Sequence, residues 1–492
     1  MRLLLFILIP LVIAGVLPLI GRLSKRILPD FLANATFIAL AWLCFKYSAL
    51  VSGGQSYLNK MIWIGEPVGI ALRLDALSLL MLLTIAIVSL GVGIFSVNYI
   101  NIEKYGSKPV YYSLLLLMVA GMNGIVLSND LFSLYVFLEM AAIASYALTA
   151  YGLGREELEG SFKYLMLSVV ATSFILLSVA IIFALTGSVE FNTVSVAINS
   201  YKTVELKYLI GVCGALFIMG FGLKAALVPF HAWMPDAYTK APATLPAMSS
   251  GVLVKVAGLY ALVRIFFNVF GMTPAISTVL LWLGVISMIV GALMALGQNS
   301  MPRMLAYSSI SQLGYIAIGF GIATPLGILG ALFHLFNHGI FKSLLFLNSG
   351  SVEMAAGTRN LDELGGLGKK MPLTSGTNVV AFLATAGVPP LNGFWSKLII
   401  IIALVQMKLY LFALLAILVS VLTLWYFLLM QRRAFFGKLN DAWQGVKEAP
   451  FWMSLSSLAL AGICVVLGVA FPWFLRVWVQ PAANVLVNGI FK

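Results

Sequence analysis

The chain has 492 residues, of which 61% are hydrophobic and 10% are charged, and its formal net charge is +13. This composition excludes a soluble globular domain, because such domains carry about 25% charged residues. The excess of positive charge does not indicate a nucleic-acid-binding protein either. The basic residues lie in short loops between apolar runs, where the positive-inside rule for membrane proteins places them.

Apolar runs of membrane-spanning length recur along the whole chain, and they predict an all-α polytopic membrane protein with about fourteen transmembrane helices. The first run, Leu3–Ile20, is long enough to span and lacks a clear small-residue cleavage site, so we interpret it as a helix rather than a signal peptide. The predicted helices lie near residues 2–21, 30–50, 73–98, 110–128, 131–151, 162–186, 208–230, 242–267, 274–297, 303–322, 325–349, 373–405, 409–431 and 451–475.

Two of the predicted connections are long. Val51–Leu72 contains the alternating stretch Met61–Glu66, which predicts a small hairpin on the outer side of the membrane. The connection Thr186–Lys207 is expected to be similar.

The loops fall into a strongly basic set and a weakly basic set. Loops that follow odd-numbered helices carry Arg22, Lys25, Arg26, Lys104, Lys108, Arg155, Lys163, Lys240, Arg303, Arg359, Lys369, Lys370, Arg432, Arg433, Lys438 and Lys447. The opposite loops carry mainly Lys60, Lys202, Lys207 and Lys408. This bias predicts that the first set faces the cytoplasm of a bacterial or archaeal cell and that both termini lie outside its cell membrane.

Glu139 lies eight or more residues from either end of its apolar run. A glutamate side chain is too short to reach the membrane interface from there. One interpretation is a neutral glutamic acid hydrogen-bonded to a neighbouring helix. The interpretation that we favour is a carboxylate whose charge is held by an intramembrane lysine.

The segment Gly222–Pro246 contains four prolines, which discourage an unbroken helix, and Lys224 lies close to its start. A broken helix at membrane depth is tolerated where it is buried in protein or lines a cavity, and a lysine inside lipid indicates function by default. We therefore predict an ion pathway, with a snorkelling Lys224 as the alternative. His231 and Asp236 are accessory candidates, and Asp236 is also expected to cap or anchor the loop.

Lys255 lies thirteen residues after Lys240 and nine before Arg264, which places it near mid-membrane. Snorkelling is again the alternative to function. A desolvated lysine loses affinity for its proton, and a nearby carboxylate restores that affinity. Small movements of such a carboxylate would therefore load or release a proton.

His334, His338 and Lys342 recur every four residues and share one face of a helix. An i, i+4 histidine pair also suits zinc, but no carboxylate ligand is near in sequence; a hydrogen-bonded core pair is the second alternative. We favour a proton relay, because histidine titrates near neutral pH. Ser308 and Ser311 are candidates for holding water beside this relay, with helix–helix hydrogen bonding as the alternative.

Irregular helices are predicted in this second half of the chain. Gly339 and its neighbouring glycines fit a locally loosened helix around the histidines. Pro389 and Pro390 must interrupt the next predicted helix just before Lys397, and Asn392 is expected to satisfy freed backbone groups. Lys397 is a further pathway candidate, with an outward-snorkelling lysine as the alternative.

The three cysteines, Cys44, Cys213 and Cys464, are far apart and inside apolar segments, which fits small core residues. The sequence contains no recognisable nucleotide-binding loop, haem motif or cysteine cluster. We therefore predict that this chain carries no cofactor and no metal ion.

The two proline breaks indicate an internal repeat. Lys224 precedes Pro229 in the first break, whereas Pro390 precedes Lys397 in the second. Interrupted helices at matching places in two halves are typical of inverted repeats with an ion site between them. The predicted domains are 1–109 with the first three helices, 110–267 and 268–435 with five-helix repeats of inverted order, and 436–492 with the last helix.

The stretch PFHAWMPDAYTKAPATLPAMSSGVLVKVAGLY, from Pro229 to Tyr260, resembles the signature of the antiporter-like subunits of respiratory complex I and their relatives. These relatives include the D-type subunits of the multi-subunit Mrp sodium/proton antiporters and subunits of membrane-bound hydrogenases. SNDLFSLYVFLEM and PPLNGFWSK are similar to two further motifs of that family, and the resemblance covers essentially the whole chain. It implies fourteen helices, broken seventh and twelfth helices, and both termini outside.

The resemblance also implies roles for individual residues. It implies that Glu139 and Lys224 form a charge pair and that Lys255 is the central site of the pathway. It also implies that His334 and His338 link this site to Lys397 at the second helix break. In this family, a lysine at the position of Lys397 is typical of the D subunits of Mrp antiporters.

The resulting expectation is a proton-translocating subunit of a multi-subunit complex in the lipid bilayer, of the D type found in Mrp Na⁺/H⁺ antiporters, with other membrane subunits as partners. Protons are the expected ions, and passage of Na⁺ through this chain is left open. The alternatives are a proton pump of a membrane-bound hydrogenase or other complex I-related oxidoreductase, a self-sufficient secondary antiporter, and a structural subunit without transport.

Overall fold

The computed structural model of the chain describes residues 2–21, 27–51, 55–61, 69–100, 107–201, 203–439 and 441–490. The described chain is built mainly from helices, with one two-stranded hairpin of β1 (Tyr57–Met61) and β2 (Ile70–Leu74). The longer helices are α1 (Leu5–Ile20), α2 (Ile27–Val51), α3 (Ala76–Tyr99), α4 (Lys108–Leu127), α5 (Leu131–Thr149), α6 (Arg155–Thr186), α7 (Phe191–Ser200), α8 (Val204–Lys224), α9 (Trp233–Lys240), α10 (Thr244–Asn268), α11 (Pro274–Leu296), α12 (Met301–Gly321), α13 (Pro325–Ala356), α14 (Pro372–Ala386), α15 (Asn392–Gln406), α16 (Tyr410–Ala434), α17 (Phe451–Val469) and α18 (Gln480–Ile490).

Eleven of the described helices are long and apolar enough to cross a membrane, and α1 and α15 are shorter apolar helices. The predicted all-α, polytopic integral membrane fold is therefore confirmed. The count of about fourteen spanning helices and the division into inverted repeats stay predictions. Five of the basic or loop residues used for the topology lie outside the described residues: Arg22, Lys25, Arg26, Lys104 and Lys202.

Side-chain caps fix the start of several helices. Asp75 accepts a hydrogen bond from the backbone N–H of Ser78 at 2.9 Å at the start of α3. Asp130 accepts one from the N–H of Ser133 at 2.6 Å at the start of α5. Each contact satisfies one of the backbone donors that a helix N-terminus leaves open.

The helix predicted near 208–230 ends earlier, at Lys224. Ala226 adopts a left-handed φ of 50°, and Pro229 lacks a backbone N–H, so the helical hydrogen bonds cannot continue. The chain then passes through α9 before α10 begins. The predicted break is therefore confirmed, and it starts directly after the lysine.

The helix predicted near 373–405 is divided into α14 and α15 at the two prolines, as predicted. The backbone carbonyl of Asn392 accepts a hydrogen bond from Asn337 Nδ2 at 3.0 Å. Asn392 Nδ2 donates in turn to Asn337 Oδ1 at 3.0 Å. The prediction that the Asn392 side chain satisfies a freed backbone group is therefore wrong, because the Asn337 side chain on α13 has that role.

The loosened helix is α10 rather than α13. Residues Ser249–Leu253 and Lys255–Tyr260 of α10 have π-helical, i→i+5 hydrogen bonding. In contrast, α13 is an α-helix over all 32 of its residues, so the prediction of a loosened helix around Gly339 is wrong. This glycine serves close packing instead, since a Cβ atom on it would lie 3.2 Å from the carbonyl oxygen of Gly251.

The strands β1 and β2 pair antiparallel, with Tyr57 opposite Leu74. The predicted hairpin is confirmed, although most of the stretch Met61–Glu66 lies outside the described residues. The connection Thr186–Lys207 contains α7 and a single β-bridge to the preceding chain instead of a second hairpin, so that expectation is wrong.

The C-terminal region contains more helix than the single span predicted for 436–492. After α17, helical turns continue through Phe471–Phe474 and Leu475–Val479 into α18. Leu486 and its neighbours anchor α18, because their side chains are fully buried against the rest of the molecule. The sequence-based estimate missed α18 because its apolar face alternates with Asn and Gln, which lowers its apolarity.

Candidate functional site

A row of buried ionisable side chains runs through the helical bundle. We define this buried row as Lys224 at the end of α8, Lys255 on α10, His338 and His334 on α13, and Lys397 on α15. Lys224 is 6% exposed, Lys397 is 3% exposed, and the other three are fully buried. Burial of such groups is rare in proteins and, in a membrane protein, indicates function by default.

The members of the row lie close enough to influence one another. The charges of Lys255 and Lys397 both act on His334 and His338. Lys224 lines a small cavity of about 10 Å³ together with residues of α10 that flank Lys255 in sequence. The structure therefore places Lys255, the two histidines and Lys397 near one another, with Lys224 beside the same helix α10.

The first end of the row combines a carboxylate with a lysine. Glu139 is half-buried on α5, and its Oε1 atom has no hydrogen-bond partner among the described residues. Its charge acts on Lys224, but in the described part of the chain the two groups form no ion pair within 4.0 Å. Lys224 Nζ instead donates a hydrogen bond to Ser168 Oγ on α6, which also accepts one from the Tyr146 hydroxyl.

Lys255 lies where α10 changes its hydrogen-bond pattern. Its ammonium group donates to the carbonyl oxygens of Ser250 at 2.5 Å and Gly251 at 2.6 Å. An i→i+5 turn displaces carbonyl groups from their usual partners, so the π-helical stretch supplies acceptors for a buried ammonium group. The distortion thus replaces the carboxylate that a buried lysine would otherwise need.

The two histidines differ in their partners. His334 contacts Ser396 Oγ through Nδ1 at 2.9 Å and Gln312 Oε1 through Nε2 at 3.2 Å. Neither ring nitrogen of His338 has a partner among the described residues, and its ring centroid lies 6.2 Å from that of His334. Most buried polar groups are hydrogen-bonded, so the alternative of a hydrogen-bonded core pair fits His334 but does not fit His338.

The accessory candidates beside the histidines separate into two groups. Lys342 donates to Ser308 Oγ at 2.8 Å and to the Leu305 carbonyl at 3.2 Å. Ser311 donates to the Met288 carbonyl at 2.8 Å, which is the helix–helix hydrogen bond of the alternative interpretation. Lys342 and Ser308 thus border the row, whereas Ser311 joins α12 to α11.

Lys397 lies at the second end of the row, just after the break between α14 and α15. Its Nζ atom lies 3.4 Å from both the Ala386 carbonyl oxygen and Ser420 Oγ, and 4.6 Å from the centre of the Tyr315 ring. Dipoles and an aromatic face surround this ammonium group. In the described chain it forms no ion pair with a carboxylate.

The accessory candidates of the first break lie apart from the row. His231 is half-buried, and its Nδ1 atom has no partner in the described ranges. Asp236 accepts from Arg303 at 2.7 Å and from Lys163 at 3.4 Å, and it is 31% exposed. These contacts fit the anchoring interpretation of Asp236 better than a place in the row.

The sequence-based reasoning missed several partners of the row. Ser168, Ser396 and Tyr315 occur within apolar helices, where serine and tyrosine are common, so no sequence signal sets them apart. It also missed the buried ion pair between Asp75 and Arg264, whose atoms are 2.5 Å apart. An aspartate before one apolar run and an arginine late in another were the available signal.

Possible metal ligands are scattered. Among the residues that the structure describes, no group of three or more His, Cys, Asp or Glu side chains is placed to hold a metal ion. The zinc interpretation of His334 and His338 therefore has no further ligand in this part of the chain.

Two sequence patterns of known families match the chain. Residues 128–423 match the family described as the transmembrane region of NADH:quinone oxidoreductase and Mrp antiporter proteins. Residues 63–107 match the family described as the N-terminus of chain 5 of NADH-ubiquinone oxidoreductase, complex I.

Individual proteins are similar over nearly the whole length. The D subunit of the Na⁺/H⁺ antiporter of Alkalihalophilus pseudofirmus is 31% identical over 490 residues, which is 99% of this chain and 97% of that protein. The N subunit of the NADH-quinone oxidoreductase of Desulforudis audaxviator is 33% identical over 426 residues, which is 86% of this chain and 84% of that protein. A chain in the solved Mrp complex of a Dietzia species aligns over 100% of this chain and 99% of that chain, with a TM-score of 0.90 and 27% identity.

Proposed function

The chain belongs to the NADH:quinone oxidoreductase/Mrp antiporter transmembrane family, and we propose that it is a proton-translocating, D-type subunit of a multi-subunit membrane complex of the Mrp Na⁺/H⁺ antiporter kind. The similarity to an antiporter D subunit over 99% of the chain supports this type. The likeness to a chain of an assembled Mrp complex supports partnership with other membrane subunits.

The observation that carries the proposal is the buried row. Five side chains that can exchange protons lie on four helices, and each of them is at most 6% exposed. In a purely structural helical bundle, we would expect buried ionisable side chains to be rare or fully hydrogen-bonded, because unpaired buried polar atoms are costly. His338, without a hydrogen-bond partner among the described residues, is the clearest exception to that expectation.

In the proposed mechanism, protons pass between Lys224, Lys255, the two histidines and Lys397 along a hydrated path. Glu139 controls the first lysine: movement toward Lys224 favours its charged form, and movement away favours release of the proton. Transfer of one charge across about 100 mV involves about 2.3 kcal/mol. This corresponds to a change of about 50-fold in proton affinity, which one charge partner and a change in solvation can supply.

Orientation and location follow from the distribution of basic residues. We infer a bacterial or archaeal cell membrane, with the basic loops in the cytoplasm and both termini outside. In this orientation the hairpin of β1 and β2 faces outward. Measurement of Na⁺ flux with variants of the buried row distinguishes passage of Na⁺ through this chain from passage through a partner.

A redox-driven proton pump is the second candidate. The similarity to the N subunit of an NADH-quinone oxidoreductase, at 33% identity, favours it specifically. The same buried row would serve either complex, because neither use requires a cofactor in this chain. The two candidates differ in the partner subunits that supply the driving force.

The test is purification of the intact complex under gentle conditions, followed by mass spectrometry and transport assays in proteoliposomes. The antiporter proposal predicts only membrane subunits without iron–sulfur or nickel–iron centres as partners and proton flux driven by a Na⁺ gradient. Iron–sulfur or nickel–iron subunits, with flux that depends on electron transfer, would establish the second candidate. Transport that persists unchanged in both Lys224→Ala and Glu139→Ala complexes would exclude the proposed charge pair.

A further inference from the structure

A polar cavity of about 680 Å³ opens on the face of the molecule that carries the hairpin. Its walls come from β2, α7, the end of α10 and α18. Eight of the lining residues carry side-chain amides, among them Asn192, Asn199, Asn268 and Asn484. The cavity contains no member of the buried row, so proton transfer does not explain it.

Three charged side chains line this polar cavity: Asp75, Arg264 and Arg73. Among the described residues, Arg73 has no carboxylate of its own as a partner. Asp75 accepts a hydrogen bond from Arg264 at 2.5 Å, and both side chains are 3% exposed. Arg73 Nε lies 3.5 Å from the same carboxylate oxygen, and no described residue accepts a hydrogen bond from it. Two guanidinium groups thus share one carboxylate, so the charged lining carries one excess positive charge at Arg73.

Arg73 is accessible from the cavity. Its side chain is 31% exposed, in contrast to the buried Arg264. A guanidinium group presents several N–H donors in a fixed plane, which suits the oxygens of a phosphate or carboxylate group. The geometry therefore favours a monoanionic group in the polar cavity, held by Arg73 and by neighbouring amides.

A second, apolar cavity adjoins the first. This apolar groove, of about 220 Å³, lies between the end of α2, the start of α3 and the turns before α18. Leu79, Val477 and Trp478 form its apolar wall, and Ala76 and Pro481 line both cavities. A small free anion would leave the groove unused, whereas an amphiphile would fill both parts.

We propose that the polar cavity and the apolar groove together bind one anionic phospholipid, with its phosphate at Arg73 and an acyl chain along Leu79, Val477 and Trp478. Charge complementarity selects an anionic headgroup, and the adjoining groove at the edge of the spanning helices selects a lipid over a soluble phosphate. The proposal does not depend on ion transport by the buried row. It concerns a binding site whose occupancy is measured directly.

The test uses the purified intact complex after delipidation in detergent. Phosphatidylglycerol, phosphatidylcholine and soluble glycerol 1-phosphate are added separately, and the Tm of the complex and the lipid bound in native mass spectra are recorded. The variants are Arg73→Gln, which removes the charge, Arg73→Lys, which retains it, and Ala76→Leu, which narrows the junction of the two cavities. Arg433→Gln, at an exposed ion pair with Asp362 remote in sequence, is the matched control for loss of an arginine.

We expect phosphatidylglycerol, but not phosphatidylcholine, to raise the Tm of the wild-type complex and to remain bound in native mass spectra. Arg73→Gln should weaken the apparent affinity about tenfold, as expected for loss of a charge-assisted hydrogen bond. Arg73→Lys should weaken it less, Ala76→Leu should weaken it without loss of charge, and Arg433→Gln should not change it.

Equal phosphatidylglycerol binding by the wild type and Arg73→Gln would overturn the proposal. A Tm shift with glycerol 1-phosphate as large as that with phosphatidylglycerol would also overturn it, because the acyl chain would then contribute nothing. Neither result would bear on the transport proposal, which is tested by proton flux.

Discussion

The two ends of the buried row stabilise a lysine in different ways. Lys224 lies before its helix break, bonds to Ser168 on a neighbouring helix and interacts with the charge of Glu139. Lys397 lies after its break, and its closest partners are a carbonyl group, a hydroxyl group and an aromatic ring. Among the described residues, the first end therefore has a carboxylate with an unbonded oxygen atom, whereas the second end has only dipoles and an aromatic ring.

This difference assigns different tasks to the two ends in the proposed mechanism. A carboxylate at variable distance can change the proton affinity of a lysine, while fixed dipoles hold that affinity nearly constant. Control of proton movement is thus expected at the Glu139 end. Lys397 is expected to accept and release protons in response to the rest of the row.

Within the comparison of the two ends, the largest effects are expected from loss of either terminal lysine. Lys224→Gln and Lys397→Gln should each lower proton flux through proteoliposomes by about 100-fold, the scale expected when a proton-transferring group is removed. Assembly of the complex, measured by size-exclusion chromatography, should be retained. Flux close to the wild-type value in either variant would remove that lysine from the pathway.

A smaller effect, confined to the first end, is expected for Glu139→Gln. This change keeps the shape of the side chain but removes the charge that helps Lys224 hold its proton, so flux should fall by about tenfold. The pH profile of the remaining flux should move to lower pH, because more protons are then needed to load the lysine. A profile that does not move would contradict the controlling role of Glu139.

The hydroxyl partners give a matched pair of substitutions with still smaller effects. Ser168→Ala removes a direct hydrogen bond to Lys224 and should lower flux about three- to tenfold. Ser420→Ala removes a longer contact, 3.4 Å between Ser420 Oγ and Lys397 Nζ, and Lys397 keeps its contact with the Tyr315 ring. Flux should therefore change by less than about twofold. Flux assays under identical gradients measure both, and the reverse order would refute the comparison.

The smallest effect is expected at Asp236, outside the row. Burial acts to raise the pKa of Asp236, but its hydrogen bonds and charge interactions with Arg303 and Lys163 outweigh burial and hold that pKa below its usual value. Asp236→Asn should lower the free energy of unfolding by about 1 kcal/mol or less, since the ion pairs are partly exposed. Flux should be unchanged.

The pH dependence of that stability difference follows from the lowered pKa. The contribution of Asp236 is fully present above the pKa of the unfolded chain, about 3.9, and is lost as the pH falls through the lower folded pKa. The Tm difference between wild type and Asp236→Asn should therefore be constant from pH 8 to about pH 5. A difference that grows on acidification would contradict the assignment.

The sequence was sufficient to predict the helical membrane fold, both proline breaks and the ionisable residues of the row. A lysine or histidine within an apolar run is conspicuous, and proline cannot continue a helix. The hydroxyl partners were not predictable, because a serine such as Ser168 looks the same whether it bonds within its own helix or to a lysine on another. The contact depends on how α6 and α8 pack.

The π-helical stretch around Lys255 shows why local pattern was insufficient. The sequence indicated Gly339 and its neighbouring glycines in α13 as the weak point. Gly339 instead allows Gly251 of α10 to approach closely, and the π-helical distortion occurs in α10. The π-helical stretch coincides with this close contact and with the hydrogen bonds of the buried Lys255 ammonium group, neither of which a local sequence pattern shows. The polar cavity beside Arg73 was not predictable either, because α18, which the sequence-based prediction missed, forms one of its walls.

The most direct test of the buried row as a proton path is flux through proteoliposomes that contain the complex with Lys255→Gln, the centre of the row. Glutamine retains much of the length and polarity of the lysine but cannot carry a proton across the bundle. We predict that flux under an imposed membrane potential falls by about 100-fold while the complex stays assembled. Flux within about twofold of the wild type would show that protons do not pass along this row.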